Sequence, residues 1–483
     1  MIAHRALRAG GVALLLTACV GTPPEPFVKE MPADAAGLSG PAYTPRSDGW
    51  WLAFEDPQLD RLVRDALAGN QSLAASLARM RGALEQARAA GAARDPRVDF
   101  DLSAYRSKVS ANYIYPPPYA GSTFWDGRVG FDLVWNLDFW GRQAALIDQA
   151  SATAEASALD ADAAALAVSG AVSQTYVDFE RVTALEQLAG RAIEQREHLV
   201  VLTRHRVQAG LDSDVELRTA EANRAQADVE LEQARVGARI ATHALATLTG
   251  RAASGQTSFA APTLDLEKAL VLPAELPADL LAHRPDIAAA KARITAAQAG
   301  RTAAHAAFYP NINLIGFAGF TAVSLGSLPK GDSQTWTLGP AIHLPIFDAG
   351  RLQAEYGKAT ADLDVAVASY NETVLRAVRE AADQAARVQS FDQQLVEQQR
   401  ALDAAEQAYA LAEQRYGAGL TTFLTVLNAE TQVLAARRQR INLLADRTQA
   451  RVGLLVALGG SFDERPSPAL AATSPAGSKE TTK

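Results

Sequence analysis

The chain has 483 residues, of which 48% are hydrophobic but only 7% aromatic, and its formal net charge is −8. An apolar content drawn mainly from alanine, leucine and valine suits long, closely packed helices, and with no long basic stretch the acidic balance excludes a nucleic-acid partner. No apolar run reaches the ~18–20 residues of a membrane-spanning helix.

The N-terminus reads as an export signal. His4, Arg5 and Arg8 form a basic start, Ala9 to Ala18 an apolar stretch, and Leu16-Thr17-Ala18-Cys19 closes it. That tetrapeptide resembles the lipobox of bacterial lipoproteins, which implies cleavage before Cys19 and lipidation of its thiol. Cys19 is the single cysteine, so an internal disulfide and a thiolate metal cluster are both excluded. Val20 stands where lipoproteins retained at the inner membrane often carry aspartate, so the same resemblance implies delivery to the outer membrane. Residues 1–18 are thus read as a signal peptide and 19–49 as a lipid-anchored, proline-rich tether.

A helix from Asn70 to Asp95 comes next, and then two strands. Val98, Phe100, Leu102 and Ala104 alternate with Asp99, Asp101, Ser103 and Tyr105, and the run from Val129 to Phe139 alternates with Arg128, Asp132, Asn136 and Asp138. Tyr113 to Tyr119 is the tip of this hairpin. Arg142 to Val207 carries no proline and reads as one helix of about 100 Å, with Val172, Tyr176 and Phe179 on a packed seam. A turn leads to a return helix from Asp214 to Thr249. This return helix and the one entering the strands, set end to end, nearly match the long arm, as in a wall of uniform height.

The order then repeats. Ile312, Leu314, Ala318 and Phe320 share one face of a third strand, and Trp336, Leu338, Ile342 and Leu344 face away from Thr335, Thr337 and His343 in a fourth. Leu395, Leu402, Tyr409 and Tyr416 fall every seventh residue, and so do Leu420, Leu427, Leu434 and Ile441, which gives both arms of a helical hairpin a coiled-coil seam. Arg206-Val-Gln-Ala-Gly-Leu211 returns as Arg415-Tyr-Gly-Ala-Gly-Leu420, an offset of 209 that also relates Ala220-Glu221 to Ala429-Glu430, Gly141-Arg142 to Gly350-Arg351 and Gly250 to Gly459. Earlier in each half the offset is 214, relating Ala78-Arg79 to Ala292-Arg293 and Pro96 to Pro310. The chain is therefore a duplication, with copies at 50–258 and 275–460 and a disordered tail at 461–483.

Strands of about ten residues with one apolar and one polar face are what a membrane β-barrel requires. Four strands cannot close a barrel, and an open edge is forbidden in lipid, so two or three chains must combine. Asp99, Asp101, Asp132 and Asp138 on the polar face suggest a mildly cation-favouring lumen.

These residues resemble the TolC-like outer membrane factors, and more closely their lipoprotein branch of the OprM and NodT types. The likeness covers roughly Trp50 to Gly460. It rests on Trp50-Trp51, Phe54, Asp56-Pro57, Leu59, Leu62, Asn70 and Leu73 as an opening signature, on Arg284-Pro285-Asp286-Ile287 at the second opening, and on the two Gly-Arg pairs. The resemblance implies an α+β membrane protein: a trimeric, 12-stranded outer-membrane β-barrel continued by a 12-helix periplasmic coiled-coil α-barrel. It implies the exit duct of a tripartite efflux or secretion system that exports small molecules. The partners it implies are two further copies, outer-membrane lipid, a periplasmic adaptor and an inner-membrane pump driven by protons or ATP.

The adaptor-contact turns implied are Ala209, Gly210 and Leu211, and Ala418, Gly419 and Leu420. The periplasmic gate, often ringed by aspartates, falls here on Thr425 and Asn428. Asp212, Asp214 and Glu216 are the acidic residues nearby, and Glu216 is the repeat counterpart of Thr425. No catalytic residue, cofactor or metal site is expected, since His198 and His205 stand seven apart, too wide for a helical metal pair. A periplasmic coiled-coil adaptor or scaffold lipoprotein is the alternative reading, and it would lack the strand pairs.

Overall fold

The computed structural model describes residues 25–31, 49–252, 259–268 and 284–460. Cys19, the signal peptide, most of the tether and the tail lie outside the described residues. After a 3₁₀ turn at Trp50–Phe54 come α1 Pro57–Gly69, α2 Gln71–Ala92, β1 Arg97–Lys108, β2 Thr123–Asn136, α3 Arg142–Gln208 and α4 Asp214–Leu248. The second copy gives α5 Pro285–Ala306, β3 Asn311–Ala322, β4 Gln334–His343, α6 Arg351–Gly417 and α7 Phe423–Ala457. The duplication is metrically faithful, because α3 and α6 both have 67 residues, α4 and α7 both 35, and α2 and α5 both 22. Two compact units result, one around Arg79–Ser157 and Ala289–Asn371 and the other from the remaining helices.

The first unit contains an antiparallel sheet in the order β1-β2-β3-β4. Its register places Phe100 opposite Phe131, Phe131 opposite Ala318, and Ala318 opposite Trp336, so one apolar face runs across all four strands. Val98, Phe100, Leu102, Phe131, Trp336, Leu338 and Ile342 on that face are 56% to 74% exposed. The other face is polar, with Arg97 bonded to Asp99 at 2.7 Å and Arg128 to Asp132 at 2.5 Å. At its centre Phe317 lies against Gly130 and Gly319. A Cβ on Gly319 would stand 2.1 Å from the Val129 carbonyl oxygen, and the Arg128 guanidinium stacks 4.0 Å from the Phe317 ring centre.

Two expectations change here. Asp138 is not a lumen residue of β2, which ends at Asn136. With φ at 38° it turns its carboxylate to accept from Gln143 N and Ala144 N, both at 2.8 Å, and so caps α3. The described part of the tether, moreover, is held in place. Phe27 N and Val28 N donate to Asp364 Oδ1 at 2.8 and 2.9 Å, Glu30 pairs with Lys291, and Val28 packs with Ile294, Leu363 and Val367.

In the second unit the opening-signature residues prove to be helix-end groups buried in one core. Trp50, Phe54, Leu59 and Leu62 pack against Val172, Tyr176, Leu245 and Val452. Asp56 accepts from Gln58 N and Leu59 N at the start of α1, and from Tyr176 Oη at 2.9 Å and Thr263 Oγ1 at 3.2 Å. Asn70 caps α2 through Leu73 N and donates to the Leu248 carbonyl at the end of α4. Arg284 of the second opening is buried, donating to the Ala457 carbonyl at the end of α7 and pairing with Asp286 and Glu380. The heptad seams hold, with Leu402, Tyr416 and Leu434 buried, except that Leu420 sits in the turn and is 77% exposed.

Candidate functional site: the two hairpin turns

Both turns close their long helix in the same way. Gly210 N donates to Val207 O and Leu211 N to Arg206 O, while Gly419 N donates to Tyr416 O and Leu420 N to Arg415 O. This Schellman pattern needs a left-handed residue, and the two glycines have φ values of 73° and 76°. Ala209, Gly210, Ala418 and Gly419 are exposed, and Leu211 is 63% exposed. One helical turn further on, Val215 and Leu424 are 71% and 61% exposed, so each turn carries two bare aliphatic knobs at equivalent positions.

Beneath the knobs lies a half-buried polar network, built round the buried Tyr416, that joins the copies. Arg206 grips Asp212 with Nε at 2.8 Å and Nη2 at 3.3 Å, and its Nη1 donates to Tyr416 O at 2.9 Å. The guanidinium lies 4.4 Å from the centre of the Tyr416 ring, whose hydroxyl donates to Asp212 Oδ2 at 2.6 Å and meets Thr203 Oγ1 at 3.2 Å. The charge-assisted bond from Arg206 holds the Asp212 carboxyl below its ordinary range, and burial with Asp212 as acceptor pushes Tyr416 up to about 12. Further along the seam Arg196 pairs with the buried Glu430 at 3.3 Å and donates to Asn223 O at 2.8 Å. Burial raises the Glu430 carboxyl, and Arg196 draws it back.

The expected gate residues sit just past the turns. Glu216 completes a capping box with Ser213, whose hydroxyl and amide donate to the carboxylate and lower its pKa. Thr425 accepts from the Thr421 hydroxyl at 3.0 Å, and Asn428 is exposed. Asp212 is therefore committed to the network, whose other members, Arg206 and Tyr416, sequence reasoning missed as a site. Of the two histidines, His198 is 70% exposed and 4.0 Å from Glu413. Among the described residues no group of His, Cys, Asp and Glu is arranged to hold a metal ion.

A four-stranded sheet that bares an apolar face, joined in sequence to long helical hairpins, defines a class of outer-membrane channel. The chain belongs to the outer membrane efflux protein family, which it matches over residues 62–251 and 276–460. It is 36% identical to the fusaric acid resistance protein FusA of Burkholderia cepacia, over 65% of this chain and 59% of that one. It is 30% identical to the probable efflux pump outer membrane protein TtgC of Pseudomonas putida, over 92% of this chain and 93% of that one. Among solved structures, the outer membrane protein VceC of Vibrio cholerae matches with a TM-score of 0.81 at 32% identity, covering 87% of this chain and 100% of that one. The chain is an outer-membrane efflux channel component of a tripartite system, and the fold class read from its sequence, that of trimeric outer-membrane channels, is the one these neighbours share.

The lowered Asp212 pKa fixes a pH window. Such a carboxylate contributes stability above the unfolded value of about 3.9 and loses it only as pH falls through the lower folded value. Protection of the Gly210 and Leu211 amides should therefore be equal at pH 7 and pH 5 once corrected for intrinsic exchange. Asp212→Asn should speed their exchange at least about tenfold, the effect of losing a charge-assisted bond. Hydrogen exchange read by mass spectrometry checks both.

Proposed function

We propose that three copies of this chain close a twelve-stranded barrel in the outer membrane, anchored by lipid on Cys19 and continued by twelve periplasmic helices. A periplasmic adaptor docks on the two turns and links the duct to an inner-membrane pump driven by protons or ATP. The observation that carries this reading is the sheet, where β1 and β4 each keep one unpaired edge and the apolar face is bare. Docking at the turns is supported by the paired knobs, Leu211 with Val215 and Leu420 with Leu424, set where glycine leaves room for close approach. Thr425 and Asn428, with Glu216, form the narrow end of the duct; the first two carry no charge, and the Glu216 carboxylate, kept ionised by the Ser213 donors, is the one that remains.

Native mass spectrometry of the full chain in detergent is expected to give a threefold assembly with acyl mass on Cys19 in every chain. A stable monomer that inserts into bilayers would refute the closed trimer, and trimers without acyl mass would refute the anchor alone. The double variant Gly210→Trp, Gly419→Trp should reach the outer membrane as trimers and lose export in a deletion strain, with fusaric acid among the compounds tested. Normal export would remove the turns from the docking surface. In planar bilayers the wild-type channel should resist block by a trivalent hexammine cation added on the periplasmic side, and Asn428→Asp should introduce block, since three carboxylates in a narrow ring concentrate the field. If wild type is blocked at low concentration and Glu216→Gln changes nothing, the gate lies elsewhere.

A further inference from the structure

The apolar face of the sheet ends in an unexpected way. Cross-strand partners share a face, so even positions of β1, β3 and β4 lie with odd positions of β2. Among the residues of the four strands only two on this face are charged, Arg106 and Lys108, and both are cations. The strand aspartates 99, 101, 126 and 132 all belong to the opposite face. Arg106 and Lys108 stand at the hairpin end of β1, opposite Trp125 and Thr123, and both are exposed. Among the described residues neither is paired with a carboxylate, and the Arg106 guanidinium lies 5.8 Å from the centre of the Trp125 ring.

A cation facing lipid is tolerated only near the interface, where tryptophan also collects. The hairpin end of the sheet is such a level. Two cations two residues apart on one strand face stand ~7 Å from each other, a separation suited to a headgroup with more than one anionic cluster. Just beyond them the hairpin tip exposes Tyr113, Tyr115 and Tyr119, at 63%, 50% and 42%, flat rings with a hydroxyl edge that suit a sugar. The second hairpin reaches the same face. Leu325 and Leu328 approach to 3.5 Å from where a Gly127 Cβ would be, and Lys330 lies in that loop.

We infer that Arg106 and Lys108 bind the phosphorylated sugar headgroup of an outer-leaflet glycolipid, with Trp125 at the level of its acyl-chain boundary. The site rests on the reading of the sheet as the lipid-facing wall of the barrel. Arg106 and Lys108 hold the phosphates, and the lipid in turn covers the outer rim of the edge strand.

The test titrates purified full-length trimers with lipid A, with dephosphorylated lipid A and with phosphatidylglycerol, reading occupancy by native mass spectrometry. Wild type should bind lipid A about thirtyfold more tightly than the double variant Arg106→Gln, Lys108→Gln, the effect of two cations at an anionic headgroup. Arg106→Lys with Lys108→Arg should keep the affinity, and Arg97→Gln on the opposite face should leave it unchanged. Equal binding of lipid A by the double glutamine variant overturns the site. So does phosphatidylglycerol or dephosphorylated lipid A binding as tightly as lipid A. Conductance of the same trimers in planar bilayers separates the two readings. Conducting trimers indifferent to lipid A refute the site alone, and trimers that never conduct refute the barrel wall.

Discussion

Lipid offers no partner for a backbone amide, and that constraint shapes the rest of this molecule. The edges of β1 and β4 carry unpaired donors and acceptors that hydrocarbon would leave unsatisfied. A chain with four strands must therefore meet other strands at both edges. The alternation of the sequence follows from the same demand, since a barrel wall needs one face compatible with acyl chains and another with water. On the watery face, Gly130 opposite Gly319 lets the two backbones close up, and the Phe317 ring fills the space of two missing side chains. Arg128 then covers the ring while keeping its charge paired with Asp132.

Helix ends impose a second demand. Each end leaves four backbone groups without intrahelical partners, and several ends in the helical unit are buried against other helices. Asp56, Asn70 and Arg284 answer this directly. One carboxylate starts α1 and fastens Tyr176 and Thr263, one amide serves the start of α2 and the end of α4, and one guanidinium closes the end of α7. Replacing any of these residues by an apolar one would strand buried polar groups at two or more elements together. Their place in the opening signatures has a packing reason.

Most of the architecture was legible in the sequence because it is written in periods. Alternation by two marked the strands, spacing by seven marked the seams, and the offset of 209 tied the copies together. The turn glycines were legible for a local reason, since a left-handed backbone at the end of a long helix selects glycine. The Arg206–Asp212–Tyr416 network was not. Its residues are 204 to 210 apart except within the first turn, and no pattern of spacing announces a contact between copies. Asp138 was misread because alternation continues past the true end of β2, where a cap in left-handed geometry mimics one more strand residue. Leu420 keeps the heptad spacing yet falls inside the turn, where its place in the Ala418-Gly419-Leu420 motif also puts it. The docking of 25–31 on Asp364 was hidden by composition, which reports the stiffness of a segment but not what it lies against.

The places where the copies diverge follow from what each has to hold. Counted by the 209 offset, Arg206 has a counterpart in Arg415, but Asp212 corresponds to Thr421 and Tyr416 to Val207, so the two partners that Arg206 holds have no equivalents in the other copy. One half-buried arginine–aspartate pair, tied to the other copy through Tyr416, already serves both turns, and a second in the same seam would add its own desolvation cost. The helices after the turns differ in the same sense. Ser213 and Glu216 cap α4, whereas Thr422 makes no side-chain cap for α7. Burial compensates, because α7 has 14 buried residues against five in α4. The open flank of α4 is not polar, since Val229 and Val236 stand seven apart and are 49% and 42% exposed. In a ring of alternating copies every repeat needs two apolar flanks, and a single chain can cover only the one between its own two repeats. Val229 and Val236 leave an apolar flank of α4 exposed in the single chain, so the helices, like the strand edges, present surface that one chain alone does not cover.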